Sequence, residues 1–511
     1  MTGKAAASRG QPLGETMMGL MRKLWRLATG VVSAALLMGL ASTAAAAAMP
    51  KVTAVPGVPV LALASYDLAA LGYVVEEYVL AGDATSYRLI GEARTDGVWQ
   101  AEAAGPAPFV TRIVVVRPID PKRFNGTVAV EWLNVTGGQD VGPDWSFMHR
   151  EMIRSGYAYV GVSVQKVGVE GGQSMGGASG GLKKMKPERY GGLSHPGDAF
   201  AYDIYSQAGR VVRDGPVLGP LKVKRVLALG ESQSAIFLTT YVNAIDRLAK
   251  VYDGFFIHSR FGGAPLLDAA AIANRASSPS GIRFRPDLRV PVMTLITETD
   301  LIGSGISGYW TASQPDNARL RVWEIPGAAH VDVYMFQVAA SDSGVAPIEK
   351  IAPLWKPSTM TIVGKLAKPM NAAPQHHYVA QAALAGLETW VRTGKAPPMA
   401  PRMETTAGAA GGAPSLVLDA NGNAKGGIRT PWVEAPTARL SGLGNSGGPF
   451  AFLLGTTEAY DAATLNRLYP GGKADYLKAF DAALARALKA GFVLPADQTE
   501  IRALAAALYP S

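Results

Sequence analysis

The sequence predicts an α/β protein built on a mostly parallel central sheet flanked by helices. Three observations carry that prediction. Short apolar runs alternate with helix-like segments between residues 110 and 330, the pattern of strands joined by covering helices. Several of those runs are continuous aliphatic or β-branched stretches, which suits strands buried on both faces. One of them passes through a Gly-x-Ser-x-Ser turn directly into a helix.

The strand candidates, in order, are Thr111–Val116, Thr127–Leu133, Ala158–Ser163, Arg225–Leu229, Gly254–Ile257, Val292–Thr297 and Arg319–Ile325. Helix candidates fall between and after them: Trp145–Arg154, Ala199–Arg213, Gln233–Ala249, and His377–Arg392, which Gly394 closes. Residues 168–193 are glycine-rich and hold Lys183, Lys184, Lys186 and Arg189, a composition expected of a loop. Residues 404–415 read as a Thr/Ala/Gly connector. Beyond it, Asn421-Gly422 suggests a hairpin turn, and Tyr476, Leu477, Phe480, Leu484 and Leu488 repeat at helical spacing up to a cap at Gly491.

At 511 residues the chain exceeds one compact domain of usual size, so either two domains or one elaborated domain is expected. The first 48 residues stand apart. Arg22, Lys23 and Arg26 precede an apolar stretch from Ala28 to Leu40 and then an alanine run, the layout of a signal peptide cleaved near Ala46–Ala48. The expected organisation is therefore a signal peptide (1–48), a catalytic core (49–395) and a C-terminal extension packed on it (396–511). A periplasmic or secreted protein with no stable membrane anchor after cleavage is expected. There is no cysteine, which excludes disulfides, thiolate metal sites and cysteine nucleophiles. The formal charge is +9, but residues 1–48 hold five Lys/Arg and one Asp/Glu, leaving 44 against 39, or +5. No basic stripe or recognisable motif marks a nucleic-acid interface.

The chemistry concentrates at Arg225-Val-Leu-Ala-Leu-Gly-Glu-Ser232-Gln-Ser-Ala235. A sharp strand-to-helix turn forces its central residue into strained geometry and lifts the side chain clear of the sheet. The residues two positions to either side must then be small, which is the nucleophile turn of the α/β-hydrolase fold. Gly230 and Ser234 meet that demand, so Ser232 is the expected nucleophile. The base expected for it is His330, in Ile325-Pro-Gly-Ala-Ala-His330, a loop turned by Pro326 and Gly327 after a late strand. His149, His195, His258, His376 and His377 stand on helices, at a strand end or in the glycine-rich stretch, where structural roles are expected. The orienting acid should lie between serine and histidine in the chain. Thr297-Glu298-Thr299-Asp300 ends a strand with two carboxylates; Asp300 is the expected acid and Glu298 its rival. For the oxyanion, the N–H of Gln233 at the helix start and a second N–H from the Asn134, Val135, Thr136 loop are expected.

These blocks together resemble the bacterial family known as "alpha/beta hydrolase domain" proteins, many of which carry export signals. The likeness rests on Glu131-Trp-Leu-Asn-Val-Thr-Gly-Gly138, Pro143-Asp-Trp145, Gly156-Tyr-Ala-Tyr-Val-Gly-Val162, His195-Pro-Gly-Asp198, Gly230-Glu-Ser-Gln-Ser234, Thr297–Asp300, Gly327-Ala-Ala-His330 and Gly427-Ile-Arg-Thr-Pro431. It spans almost all of residues 50–505. The resemblance implies the fold and a serine hydrolase of Ser/His/acid type that needs no cofactor, and it leaves the natural substrate open; hydrolysis of a small-molecule carboxylic ester is the leading expectation for the triad. The same triad on an amide, peptide or acyl-transfer substrate is the nearest alternative. A non-catalytic binding protein on this fold is another, and it would be expected to have lost a triad member. A dinucleotide oxidoreductase needs Gly-x-Gly-x-x-Gly, which Gly137-Gly138 does not supply. A metal hydrolase needs a ligand cluster that the scattered histidines do not form in sequence.

Overall fold

A computed structural model of the chain describes residues 1–3, 49–268 and 279–510. The expected leader over residues 22–48 lies outside them. Residues Met49–Ser511 cluster as one compact unit.

Its centre is a nine-stranded sheet. In chain order the strands are β1 (Lys51–Val55), β2 (Tyr73–Leu89), β3 (Ala101–Pro118), β4 (Thr127–Trp132), β5 (Ala158–Val162), β6 (Arg225–Glu231), β7 (Gly254–His258), β8 (Val292–Thr297) and β9 (Leu320–Ile325). Their spatial order is β1-β2-β3-β5-β4-β6-β7-β8-β9. Pairing is antiparallel from β1 through to the β3–β5 contact and parallel for every later neighbour. All seven expected strands are present. The chain before Thr111 holds strands as well: β2 and β3 are 17 and 18 residues long and pair along their length. Their mixed polarity, and the Gly105-Pro-Ala-Pro108 interruption, hid them from a search for apolar runs.

The main helices are α1 (Pro143–Arg154), α2 (Ala201–Asp214), α3 (Gln233–Thr240), α4 (Glu298–Ile302), α5 (Gln375–Thr393), α6 (Lys473–Ala490) and α7 (Gln498–Leu508). The segment after β6 remains helical to Ala249, but Tyr241–Ile245 forms a π-helical turn. Strand alternation sorts the core into two layers. Leu227, Leu229, Phe256, Met293 and Leu295 face α1 and α5. Val226, Ala228, Ile257 and Ile296 face α2 and α3 on the other side. Tyr476, Phe480, Leu484, Ile501 and Leu504 of the C-terminal helices share the first layer's apolar cluster. Arg150 of α1 pairs with Asp342 and with Glu500 of α7, tying those helices together with buried charge.

The glycine-rich stretch is more ordered than its composition suggests. It forms a hairpin, Gly172–Ser174 with Gly177–Ser179, between short helices. At Asn421-Gly422 the chain turns as expected: Asp419 accepts from the Asn421 and Asn423 N–H groups at 2.8 and 3.0 Å, and Leu418 bridges Ala424.

Candidate active site

The carboxyl ends of the parallel strands gather the expected residues. Between β6 and α3, Ser232 adopts φ 60° and ψ −117°, a strained conformation for a residue with a side chain. Two contacts pin it there. Its N–H donates to the His258 carbonyl at 2.9 Å, and its carbonyl accepts from Ile236 N–H at 3.1 Å. The small neighbours are required by contact: a Cβ on Gly230 would lie 2.8 Å from Leu238 Cδ1 and 3.1 Å from the Ser234 Cβ. Ser234 is fully buried in that crossing, its hydroxyl without a hydrogen-bond partner among the described residues.

His330 reaches the turn from the loop after β9. Its Nε2 lies 2.7 Å from Ser232 Oγ and its Nδ1 2.6 Å from Asp300 Oδ1. The loop's bend at Gly327 needs φ +74°, and any Cβ there would meet Gln375 Nε2 at 2.9 Å. The imidazole sits 5.1 Å, centroid to centroid, from the Phe261 ring. Burial lowers its proton affinity, but the Glu231 and Asp300 carboxylates beside it reverse this, leaving its pKa raised.

The two candidate acids separate cleanly. The chain after Thr297 is the short helix α4 rather than an open turn, so strand alternation does not govern them. Asp300 closes a capping box: Thr297 N–H donates to Oδ2 at 2.7 Å, and Asp300 N–H donates back to Thr297 Oγ1 at 3.3 Å. That leaves Oδ1 for the histidine. Glu298 points elsewhere, accepting from Gly327 N–H at 2.6 Å, Gly442 N–H at 2.8 Å and Ser441 Oγ at 3.2 Å. It ties the histidine loop to the C-terminal segment.

The loop after β4 lies against the turn. Thr136 Oγ1 donates to Gln233 Oε1 at 3.2 Å, and Asn134 Nδ2 donates to the Glu231 carbonyl at 3.1 Å. Of the candidate donors in this loop, Asn134 N–H is committed to Val141 and Thr136 N–H to Asn134 Oδ1. Among the described residues, the N–H groups of Val135 and Gln233 have no such acceptor. The nearby cavity of about 310 Å³ is lined by Ser232 with Ile236, Phe261, Pro265, Ile306 and Phe452. Met175, at the tip of the glycine-rich hairpin, also lines it.

The other histidines have structural surroundings. His149 Nε2 bonds the Asp342 carbonyl at 2.6 Å and His195 Nε2 the Val164 carbonyl at 2.7 Å. His258 and His376 meet Nε2 to Nε2 at 2.9 Å, and His377 stacks on Tyr334 at 3.8 Å. Asp342, His377 and Glu500 come within metal-ligand spacing, but Arg150 already bridges both acids. Sequence reasoning passed over Glu231. Its carboxylate stands 3.2 Å from His330 Nε2, and its only signal was its place inside the Gly-Glu-Ser-Gln-Ser block.

The chain matches the family model described as "Alpha/beta hydrolase domain" over residues 42–503. It belongs to that family. The sheet order, the helices on both faces and the strand-to-helix turn are those of the α/β-hydrolase fold. A search of curated proteins finds no match. Among solved structures, the chain is similar to a serine hydrolase without a lid from Xanthomonas campestris, at 10% identity over 48% of this chain and 86% of that one, with a TM-score of 0.28. An esterase from Rhizomucor miehei shares 12% identity over 50% and 77% of the two chains, TM-score 0.25. A putative dienelactone hydrolase from Klebsiella pneumoniae shares 14% over 49% and 86%, TM-score 0.24. Likenesses this distant do not bear on the substrate of this family member.

Proposed function

We propose that this family member is a serine hydrolase that cleaves uncharged carboxylic esters through an acyl-enzyme. The observation that carries the reading is the continuous hydrogen-bonded line Asp300–His330–Ser232, ending on a strained serine beside an apolar cavity. Ser232 Oγ attacks the ester carbonyl carbon while His330 Nε2 takes its proton. Asp300 holds the imidazole in the tautomer that leaves Nε2 free to accept. The tetrahedral oxyanion is met by the Gln233 N–H, at the start of α3, and the Val135 N–H. His330 then gives its proton to the departing alkoxide, and water, deprotonated by the same imidazole, releases the acid and regenerates Ser232.

Apolar side chains dominate the cavity wall, which favours an aliphatic or aryl ester of modest size over a charged one. A panel of aryl esters of graded acyl length, run beside matched amides and lactones, tests this. Ester turnover that peaks at intermediate acyl length and exceeds amide turnover supports it. Preference for the amides, or no turnover with any member, rejects it. The Arg/Lys-flanked apolar leader further supports export with cleavage near Ala46–Ala48. Peptides containing Lys23 in protein purified from outside the cytoplasm would contradict that.

A further inference from the structure

Glu231 is a buried acid that the scheme above does not use, and its position is unusual. It precedes the nucleophile on β6, is almost fully buried, and lies on the same side of the imidazole as Ser232. One oxygen, Oε2, receives Asn134 Nδ2 at 3.3 Å. The other, Oε1, lies 3.2 Å from His330 Nε2 and has no hydrogen-bond partner among the described residues. Where Glu231 is ionised and Nε2 accepts the Ser232 hydroxyl, two acceptors face each other across that gap. A buried acceptor left unpaired is costly, and the cost disappears once the facing nitrogen carries a hydrogen.

We propose that Glu231 is a second carboxylate for His330, accepting the Nε2–H bond that exists only after the serine proton has been transferred. The proposal rests on the reading of Ser232 and His330 given above. Its balance is simple. The Ser232 O–H bond breaks as the Oγ–carbonyl bond forms, the proton moves to Nε2, and the new N–H is shared between Glu231 Oε1 and the leaving oxygen. No further reactant is required. Because the contact is absent in the ground state and present in the transition state, it raises kcat rather than tightening substrate binding.

The surroundings set a pH signature. Glu231 faces His330 and Asn134 directly, with Asp300 and Glu131 as further acids close by and Asp144 beyond them. His258, on the adjacent strand, is held well below the usual histidine range by burial and by the charges of His376 and His330. Burial is the largest influence on Glu231, and together with the neighbouring acids it outweighs the imidazole, pushing the carboxyl up to about 8. The ionised form attracts the imidazolium more strongly than the neutral one. Activity therefore rises once as His330 loses its proton and again as Glu231 ionises.

The test is the pH dependence of ester hydrolysis in the wild-type protein and in Glu231→Gln, whose amide oxygen can still accept but carries no charge. The wild type should show a second rise in kcat/KM near pH 8, and Glu231→Gln should lack it. The variant should lose roughly ten- to hundredfold in kcat with KM nearly unchanged, the scale of one hydrogen bond to a charged group. Glu231→Asp, whose shorter arm retreats from Nε2, should fall between the two. A wild-type profile flat above the His330 step overturns the proposal even if no variant folds. So does a Glu231→Gln profile that keeps the second rise, or a loss confined to KM or to the melting temperature. A fluorophosphonate probe separates this failure from that of the larger reading. Labelled Ser232 with no second rise removes the role of Glu231 alone; unlabelled Ser232 removes both.

Discussion

Among the described residues, two buried lines join acids and histidines, and one of the two ends on a serine hydroxyl. The first is Asp300–His330–Ser232. The second runs from Asp144 to His258 at 2.8 Å, across to His376 at 2.9 Å, and on to Asp332 at 3.3 Å. Both are buried, and both pair an imidazole with a carboxyl at good hydrogen-bond distance. Their electrostatics are opposite. Carboxylates outweigh burial at His330 and raise its proton affinity. At His258 burial, then the neighbouring histidines, drive it well down, while burial and the nearby Glu131 and Glu231 drive Asp144 well up. The surroundings of the Asp144–His258 pair therefore favour the neutral form of each member. Beyond His258 the line meets His376, packed against Phe147 in the apolar layer between α1 and α5, and closes on Asp332. An acid–histidine contact is thus no mark of catalysis by itself. The mark is the strained serine and the cavity at the end of the line.

The largest effect that tests this contrast is loss of the nucleophile. Ser232→Ala should lower ester turnover by ~10⁶-fold with thermal stability kept, measured on the best aryl ester. Residual turnover close to wild type would place the chemistry elsewhere. Next comes the acid. Asp300→Asn should cost about 10⁴ in kcat by favouring the wrong tautomer. Glu298→Gln should cost much less in kcat but lower stability by roughly 1–3 kcal/mol, because its amide nitrogen turns a donor toward the Gly327, Gly442 or Ser441 donors. Reversal of the two kcat effects would assign the role to Glu298.

In the second line, His258→Gln should leave turnover within roughly an order of magnitude while lowering the melting temperature. A collapse of kcat without destabilisation would make that line functional and break the contrast. The smallest effect is one of sign. A histidine depressed by folding contributes stability that is full above its unfolded value near ~6.5 and is lost as pH falls below it. His330 is raised, so its share is full below that value and is lost as pH rises through its folded pKa. Melting curves of His258→Gln should therefore lose less stability on acidification from about pH 7 to about pH 5 than the wild type. A steeper acid loss in the variant would contradict the sign assigned to His258.

Much of this was readable from the chain because local chemistry and fold agree there. Gly-x-Ser-x-Ser between an apolar strand and a helix demands a tight crossing, and Gly230 and Ser234 occupy it. Other features needed the third dimension. The choice of Asp300 over Glu298 turns on a capping box that converts an expected turn into the first turn of α4. Asn134, Val135 and Thr136 were indistinguishable in sequence, and only hydrogen-bond accounting leaves Val135 N–H open. The long hairpin of β2 and β3 lacked apolar runs over its outer half. Glu231 gave no periodic or spacing signal, since its significance lies in a contact with a residue 99 positions away.

The central claim is that Ser232 is the residue acylated. The most direct measurement is peptide mapping by mass spectrometry after brief exposure of the native protein to a fluorophosphonate. The adduct should fall on Ser232, and prior heat denaturation, which dismantles the turn and the His330 contact, should abolish it. An adduct on Ser234 or any other serine, or labelling that survives denaturation, would contradict the account.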